Sequence, residues 1–145
     1  MDEAFPLPEL PPEMTIDMWS IELDRPLDLA VNLDQFLSEE ACARAEQFVF
    51  ARDAFRFQLC RAMLRMGLAW YLQKTPREIA LTTRQRDKPC LVERSGLFFN
   101  VTHAGGLALI AFTTVGEVGI DIEPAHRKLE ALDVAFANFT STKRQ

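Results

Sequence analysis

Between Leu97 and Glu123 three β-patterned runs follow one another with only short connections. The runs are Leu97 to Val101, Leu107 to Thr113 and Glu117 to Glu123, and Gly105-Gly106 and Val115-Gly116 supply turns between them. A parallel strand pair needs a crossover of about a dozen residues or more, and there is no room for one here. The three runs are therefore expected to form an antiparallel meander. Upstream the pattern is different. Ser38-Glu39-Glu40 reads as a helix start, with a capping hydroxyl followed by carboxylates where the helix dipole favours them. Helical spacing continues to about Gln73, with a bend expected near Ala51, and Lys74-Thr75-Pro76 ends it. Phe55, Leu59, Met63, Met66 and Trp70 recur at three- and four-residue spacing, which predicts one buried face, while Arg44, Arg52, Arg56, Arg61 and Arg65 fall on the wet faces. Thr15 to Leu23 alternates through Trp19, Ile21 and Leu23 and predicts a half-buried strand that Asp24-Arg25-Pro26 breaks. Ile79 to Thr83 alternates as well. The expected fold class is α+β: a long helical segment packed on a small, mainly antiparallel sheet. No internal repeat is visible.

Length bounds the organisation. The 145 residues suit one core, expected over residues 15–139. Residues 1–14 hold four of the eight prolines and read as an extended, poorly ordered arm, and residues 140–145 read as a tail. A hydrophobic content of 48% with 26% charged residues is that of a folded, soluble domain. The net charge of −5 argues against nucleic acid as a partner, because tight phosphate-backbone binding needs a basic face. The longest apolar run, Leu107 to Phe112, is far too short to span a membrane, and the acidic start of the chain is unlike a secretory signal. Cys42, Cys60 and Cys90 are odd in number and lack metal-ligand spacing, so buried thiols in a reducing cytoplasm are expected.

The residues able to do chemistry are few. In Gly119-Ile120-Asp121-Ile122-Glu123, strand alternation puts Gly119, Asp121 and Glu123 on one side and Val118, Ile120 and Ile122 on the other. Two carboxylates held this way suit a hard cation such as Mg²⁺, which takes one or two protein carboxylates and fills its shell with water and phosphate oxygens. The same spacing also fits a solvated strand face on which acids simply alternate with core residues. Asn100-Val101-Thr102-His103 puts polar groups at a strand end, where ligands often sit, but a lone histidine there is also met as an ordinary surface residue. Arg86-Asp87-Lys88-Pro89 reads as a basic turn.

Taken in order, Arg52-Asp53-Ala54-Phe55-Arg56, Lys88-Pro89, Phe99-Asn100-Val101-Thr102-His103 and Gly119-Ile120-Asp121-Ile122-Glu123 make a more specific pattern. It resembles the 4′-phosphopantetheinyl transferases of the larger, two-lobed class, whose first half carries an arginine-bearing helix, a Gly-Lys-Pro turn, an Asn-x-Ser-His segment and a Gly-x-Asp-x-Glu strand in this order. The resemblance covers about Leu23 to Arg127. It implies an enzyme that moves the phosphopantetheine arm of coenzyme A onto a serine of an apo acyl or peptidyl carrier protein. The serine oxygen attacks the pyrophosphate and 3′,5′-ADP leaves, with Mg²⁺ neutralising the diphosphate. It further implies that Asp121 and Glu123 are Mg²⁺ ligands. Lys88, Thr102 and His103 would contact the phosphates or adenosine part of coenzyme A, and Arg44 and Arg56 would approach its 3′-phosphate. Asp87 stands where the family has glycine, and Thr102 where it has serine.

Nothing in the chain matches the family's Trp-x-x-Lys-Glu-Ala-type helix, which brings the expected base and a diphosphate-binding lysine. The catalytic residues are therefore expected in a second lobe, and this sequence is expected to hold the N-terminal lobe alone. It is unlike the small, trimeric class, in which the metal-strand Asp lies near the N-terminus. Activity of the isolated chain is left open, with a half-site that binds coenzyme A or a carrier without transfer as the alternative. A lobe without its companion should expose apolar surface and self-associate.

Overall fold

A computed structural model of the chain describes residues 10–11, 14–25, 32–84 and 88–125. Most of the expected arm, Pro26, Arg86-Asp87 and the expected tail lie outside the described residues.

The described residues form five strands, two α-helices and two 3₁₀ turns. Strand β1 is Ile16–Glu22, helix α1 Glu39–Ala45, helix α2 Ala51–Leu72, and strands β2 to β5 are Leu81–Arg84, Lys88–Leu91, Phe98–Ala104 and Leu107–Thr113. They form a three-stranded antiparallel sheet in the order β1-β5-β4 and a two-stranded antiparallel sheet of β2 and β3. The expected α+β class holds.

Ser38 caps α1 as its sequence position predicts, its Oγ accepting from the Ala41 N–H at 3.2 Å. Where one bent helix is expected, there are two: α1 closes at Ala45, and Phe50, in extended conformation, precedes α2. Helix α2 ends in a left-handed Gln73 at φ 54°, and the Lys74 N–H closes the last turn onto the Ala69 carbonyl at 3.0 Å.

The core lies between α2 and the larger sheet. Leu64, Leu68, Ile110 and Phe112 are fully buried there with Leu23, each stabilising the fold by about 1.5–3 kcal/mol relative to exposure. Trp19, Tyr71 and Phe112 form one aromatic cluster, with Tyr71 and Phe112 centroids 4.7 Å apart and Trp19 edge-on to Phe112 at 5.4 Å. Gly67 permits this approach, since a Cβ there would lie 2.6 Å from Phe112 Cζ.

Two expectations for α2 are corrected. Leu59 is buried and Phe55 and Met63 pack on the core, but Met66 and Trp70 stay 40% and 45% exposed. The buried stripe runs through Cys60, Leu64, Gly67, Leu68 and Tyr71, about a third of a turn away. Gly67 lies on it, where the helix backbone comes close to the sheet. Arg65 is not on a wet face but only 6% exposed. Its Nη1 donates to the Pro76 and Ile79 carbonyls at 2.9 and 2.8 Å, which ties α2 to the connection into β2. Arg65 Nε has no acceptor among the described residues.

Lys88-Pro89, read from sequence as part of a turn, opens strand β3. The expected third strand of the meander does not form: residues 117–124 make no strand ladder. The reason is topological. Both edges of β5 are taken, by β1 and β4, so the chain leaving Thr113 passes to the outer side of β4. There Asn100 Nδ2 donates to the Val118 carbonyl at 3.0 Å and Thr102 Oγ1 to Asp121 Oδ1 at 3.3 Å. These contacts ascend together along both segments, so the segment runs parallel to β4, held by side chains. Its alternation survives, with residues 118, 120 and 122 half-buried and 117, 119, 121 and 123 exposed.

Candidate functional site

A cleft of about 630 Å³ opens where α1, α2, β3 and β4 meet. Arg44 comes from the last turn of α1, Arg56 and Arg61 from α2, Lys88 from the first position of β3, and Asn100 and His103 from β4. Four of the residues singled out by sequence, Arg44, Arg56, Lys88 and His103, thus share one wall system. Segments far apart in the chain supply them. Asp53 is the acid in that lining, so the cleft is cationic in a chain of net charge −5 and suits an anionic ligand.

The arginines are held in place. Arg44 and Arg61 lie over the Phe57 ring, 5.4 and 5.5 Å from its centroid. Burial pushes the Arg61 guanidinium below its ordinary range. Arg56 forks onto Asp24, with Nε and Nη2 donating to the two carboxylate oxygens at 2.7 and 2.6 Å. The hydrogen bond from Arg56 holds the Asp24 carboxyl below its ordinary range, and the same bond raises Arg56. Cys60 lines the cleft too, but burial pushes its thiol up, which disfavours the nucleophilic thiolate. A smaller pocket of about 130 Å³ adjoins, sharing Arg44, Phe57, Arg61 and Pro89 and adding Arg65, Thr82 and Thr83.

The other three singled-out residues form a second group. Strand alternation points Thr102 to the face of β4 opposite His103. Its hydroxyl reaches Asp121, whose Oδ1 also accepts from the Ile122 N–H at 2.9 Å. Among the described residues nothing bonds Asp121 Oδ2, and Glu123 is exposed on the same side of the segment. Thr102, Asp121 and Glu123 do not line the cationic cleft. Among the described residues no three His, Cys, Asp or Glu side chains gather as a metal site. The donors present, two exposed carboxylates on one side of an extended segment, nevertheless fit a cation that fills most of its shell with water and phosphate.

Sequence reading misses Phe57 and Arg61 as residues that line the cleft, and Asp24 as the partner that holds Arg56. Asp24 sits in a segment read as a strand breaker, and its pairing with Arg56 bridges two separate elements, so no local pattern carries it. Phe57 lies off the apolar stripe read from the sequence, and Arg61 reads as a solvated helix face.

Residues 26–115 match the family model described as 4′-phosphopantetheinyl transferase, N-terminal. Arg44, Arg56, Lys88, Thr102 and His103 fall inside that match, and Asp121 and Glu123 beyond it. The chain is 36% identical over 121 residues to the 4′-phosphopantetheinyl transferase HetI of Nostoc sp., covering 78% of this chain and 51% of that protein. It is 29% identical over 128 residues to the 4′-phosphopantetheinyl transferase Sfp of Bacillus subtilis, covering 87% and 56%. It is 35% identical over 91 residues to the human L-aminoadipate-semialdehyde dehydrogenase-phosphopantetheinyl transferase, covering 59% and 29%. The chain spans about half the length of the first two relatives.

Proposed function

From the premise that this chain belongs to the 4′-phosphopantetheinyl transferase family, we propose that it supplies one wall of a site that moves the 4′-phosphopantetheine group of coenzyme A onto a serine of an apo carrier protein. The observation that carries this is the convergence of Arg44, Arg56, Lys88 and His103 on one cationic cleft from four separate elements. Coenzyme A offers a 3′-phosphate and a diphosphate, and a cleft lined by fixed cations lowers the cost of gathering that charge. Arg44 and Arg56 are assigned to the 3′-phosphate, and Lys88 and His103 to the phosphates or adenosine. Thr102 acts by holding Asp121.

Asp121 and Glu123 would hold Mg²⁺, which when bound supplies charge neutralisation at the diphosphate. In the transfer, the serine oxygen forms a bond to the phosphorus bearing pantetheine. The bond to 3′,5′-ADP breaks, and the serine proton passes to a base. None of the described residues is assigned as that base.

Mixing the chain with coenzyme A, Mg²⁺ and an apo carrier tests the proposal: a carrier that gains the mass of phosphopantetheine supports transfer. The second reading is a half-site that binds without transferring, and the absence of a third metal ligand among the described residues favours it for the isolated polypeptide. Calorimetry separates the two. Under the half-site reading coenzyme A binds with no mass gain, and Asp121→Asn with Glu123→Gln abolishes the Mg²⁺-dependent part of binding. Binding whose Mg²⁺ dependence survives the double substitution rejects the assignment of those carboxylates.

A further inference from the structure

Arg56 lines the cleft already gripped from behind. Both Nε and Nη2 are committed to Asp24, and Nη1 stands 3.9 Å from Asp53 Oδ1. Arg56 is well covered, with 18% of its side chain exposed, whereas Asp24 is 50% exposed. Asp24 is itself seated by the turn between β4 and β5. The Leu23 N–H donates to the Gly106 carbonyl at 2.7 Å, which anchors the end of β1 to that turn. A Cβ at Gly106 would overlap Asp24 Oδ2. Gly106 is not among the positive-φ glycines, so space and not backbone conformation is what its missing side chain provides.

We propose that Asp24, seated by the Gly106 turn, is a positioning residue for phosphate recognition in the cleft: it locks the Arg56 guanidinium so that one fixed edge is presented to the ligand. The proposal rests on the reading that the cleft takes coenzyme A. It makes a prediction whose sign is opposite to simple electrostatics. Removing a negative charge beside an anion site makes the site more cationic, and Coulomb attraction alone would tighten binding. An unheld arginine, however, must lose side-chain freedom when the ligand binds, and that loss weakens binding. Positioning requires the second effect to win.

The experiment is calorimetric titration of the full chain with coenzyme A and with 3′-dephospho-coenzyme A. Asp24→Asn and Gly106→Ala, which reach the same contact from its two sides, should each weaken coenzyme A binding by about three- to tenfold. They should also reduce discrimination against the dephospho compound, which a general loss of stability would not do. The combined variant should be no weaker than the worse single one, and Asp24→Asn should have no further effect in an Arg56→Gln background. Asp24→Asn binding coenzyme A as tightly as the parent, or more tightly, overturns the proposal. A second readout does not depend on the ligand. The Arg56 Nε–H proton should exchange slowly in the parent and quickly in both variants. If the parent binds no coenzyme A, the cleft reading fails and Asp24's role in recognition with it. An Nε–H that remains protected in Asp24→Asn overturns the seating itself.

Discussion

Tyr71 is the chain's one tyrosine, and it is wedged between an acid and an indole. Trp19 Nε1 donates to its hydroxyl at 3.3 Å, and that hydroxyl donates to Asp17 Oδ2 at 2.8 Å. Burial first, and the Asp17 bond second, push the phenol from 10.0 up to about 12. A group raised on folding contributes stability that is complete below its unfolded pKa and is lost as the pH rises through its folded one. The folded chain should therefore titrate its phenol near pH 12, and the urea-unfolded chain near 10. Phenolate absorbance reports Tyr71 alone, and a folded midpoint near 10 would contradict the half-buried Trp19–Tyr71–Asp17 arrangement. At this scale the sequence is legible where a residue's role is local. Ser38 caps as its position predicts, because a cap needs only its own first turn. Arg65 and Asp24 are not legible. Nothing nearby tells that one arginine is buried on two backbone carbonyls and that another is forked by an acid from a different element.

Helix α2 and the sheet approach closely because Gly67 stands between them. Replacing it with alanine gains up to about 1 kcal/mol of helix propensity, but the added methyl meets Phe112 Cζ at 2.6 Å and Trp19 Cζ3 at 3.3 Å. Overpacking of a filled core costs about 1–3 kcal/mol. The expected outcome for Gly67→Ala is net destabilisation of roughly 1–2 kcal/mol by urea melt, and a stabilised variant would show that the interface relaxes freely. Legibility follows the same logic at the level of elements. Strands β1 and β5 are readable because alternation or continuous apolarity is intrinsic to them. The gap between α1 and α2 is not, since Gln47 to Phe50 carries neither glycine nor proline. Strand β3 hides because its Lys88-Pro89 start looks like a turn. The extended segment beside β4 is readable in its alternation and unreadable in its pairing, because pairing depends on which edge of β5 the distant β1 takes. Of the site, the chain order of Lys88, His103 and Asp121 is visible, whereas the separation of Thr102 and the carboxylates from the cleft depends on which face of β4 each side chain takes.

At the scale of the molecule, β1 is an edge strand among the described residues, and its solvent-facing positions carry Ile16 and Met18, both more than half exposed, next to an exposed Met14. Exposed apolar edges invite pairing with another chain. The isolated polypeptide is expected to self-associate with rising concentration, and Met18→Lys to shift it toward monomer. Sedimentation velocity checks this, and a parent that stays monomeric throughout would contradict it. The register that creates this edge has a further consequence, in time instead of space. Among the described residues β1 has one partner in its sheet, β5, and Ile16 meets Thr113 across nearly the whole described chain. During synthesis the first strand must therefore wait, unpaired, until the β4–β5 hairpin has emerged, while both helices can already form. Long-range closure of this kind is slow relative to local hairpin and helix formation. Joining β1 to β5 is thus the expected late event of folding. The strand that leads into Asp24 is then the last to be recruited, so the Asp24–Arg56 grip is expected to form only once the rest of the sheet exists.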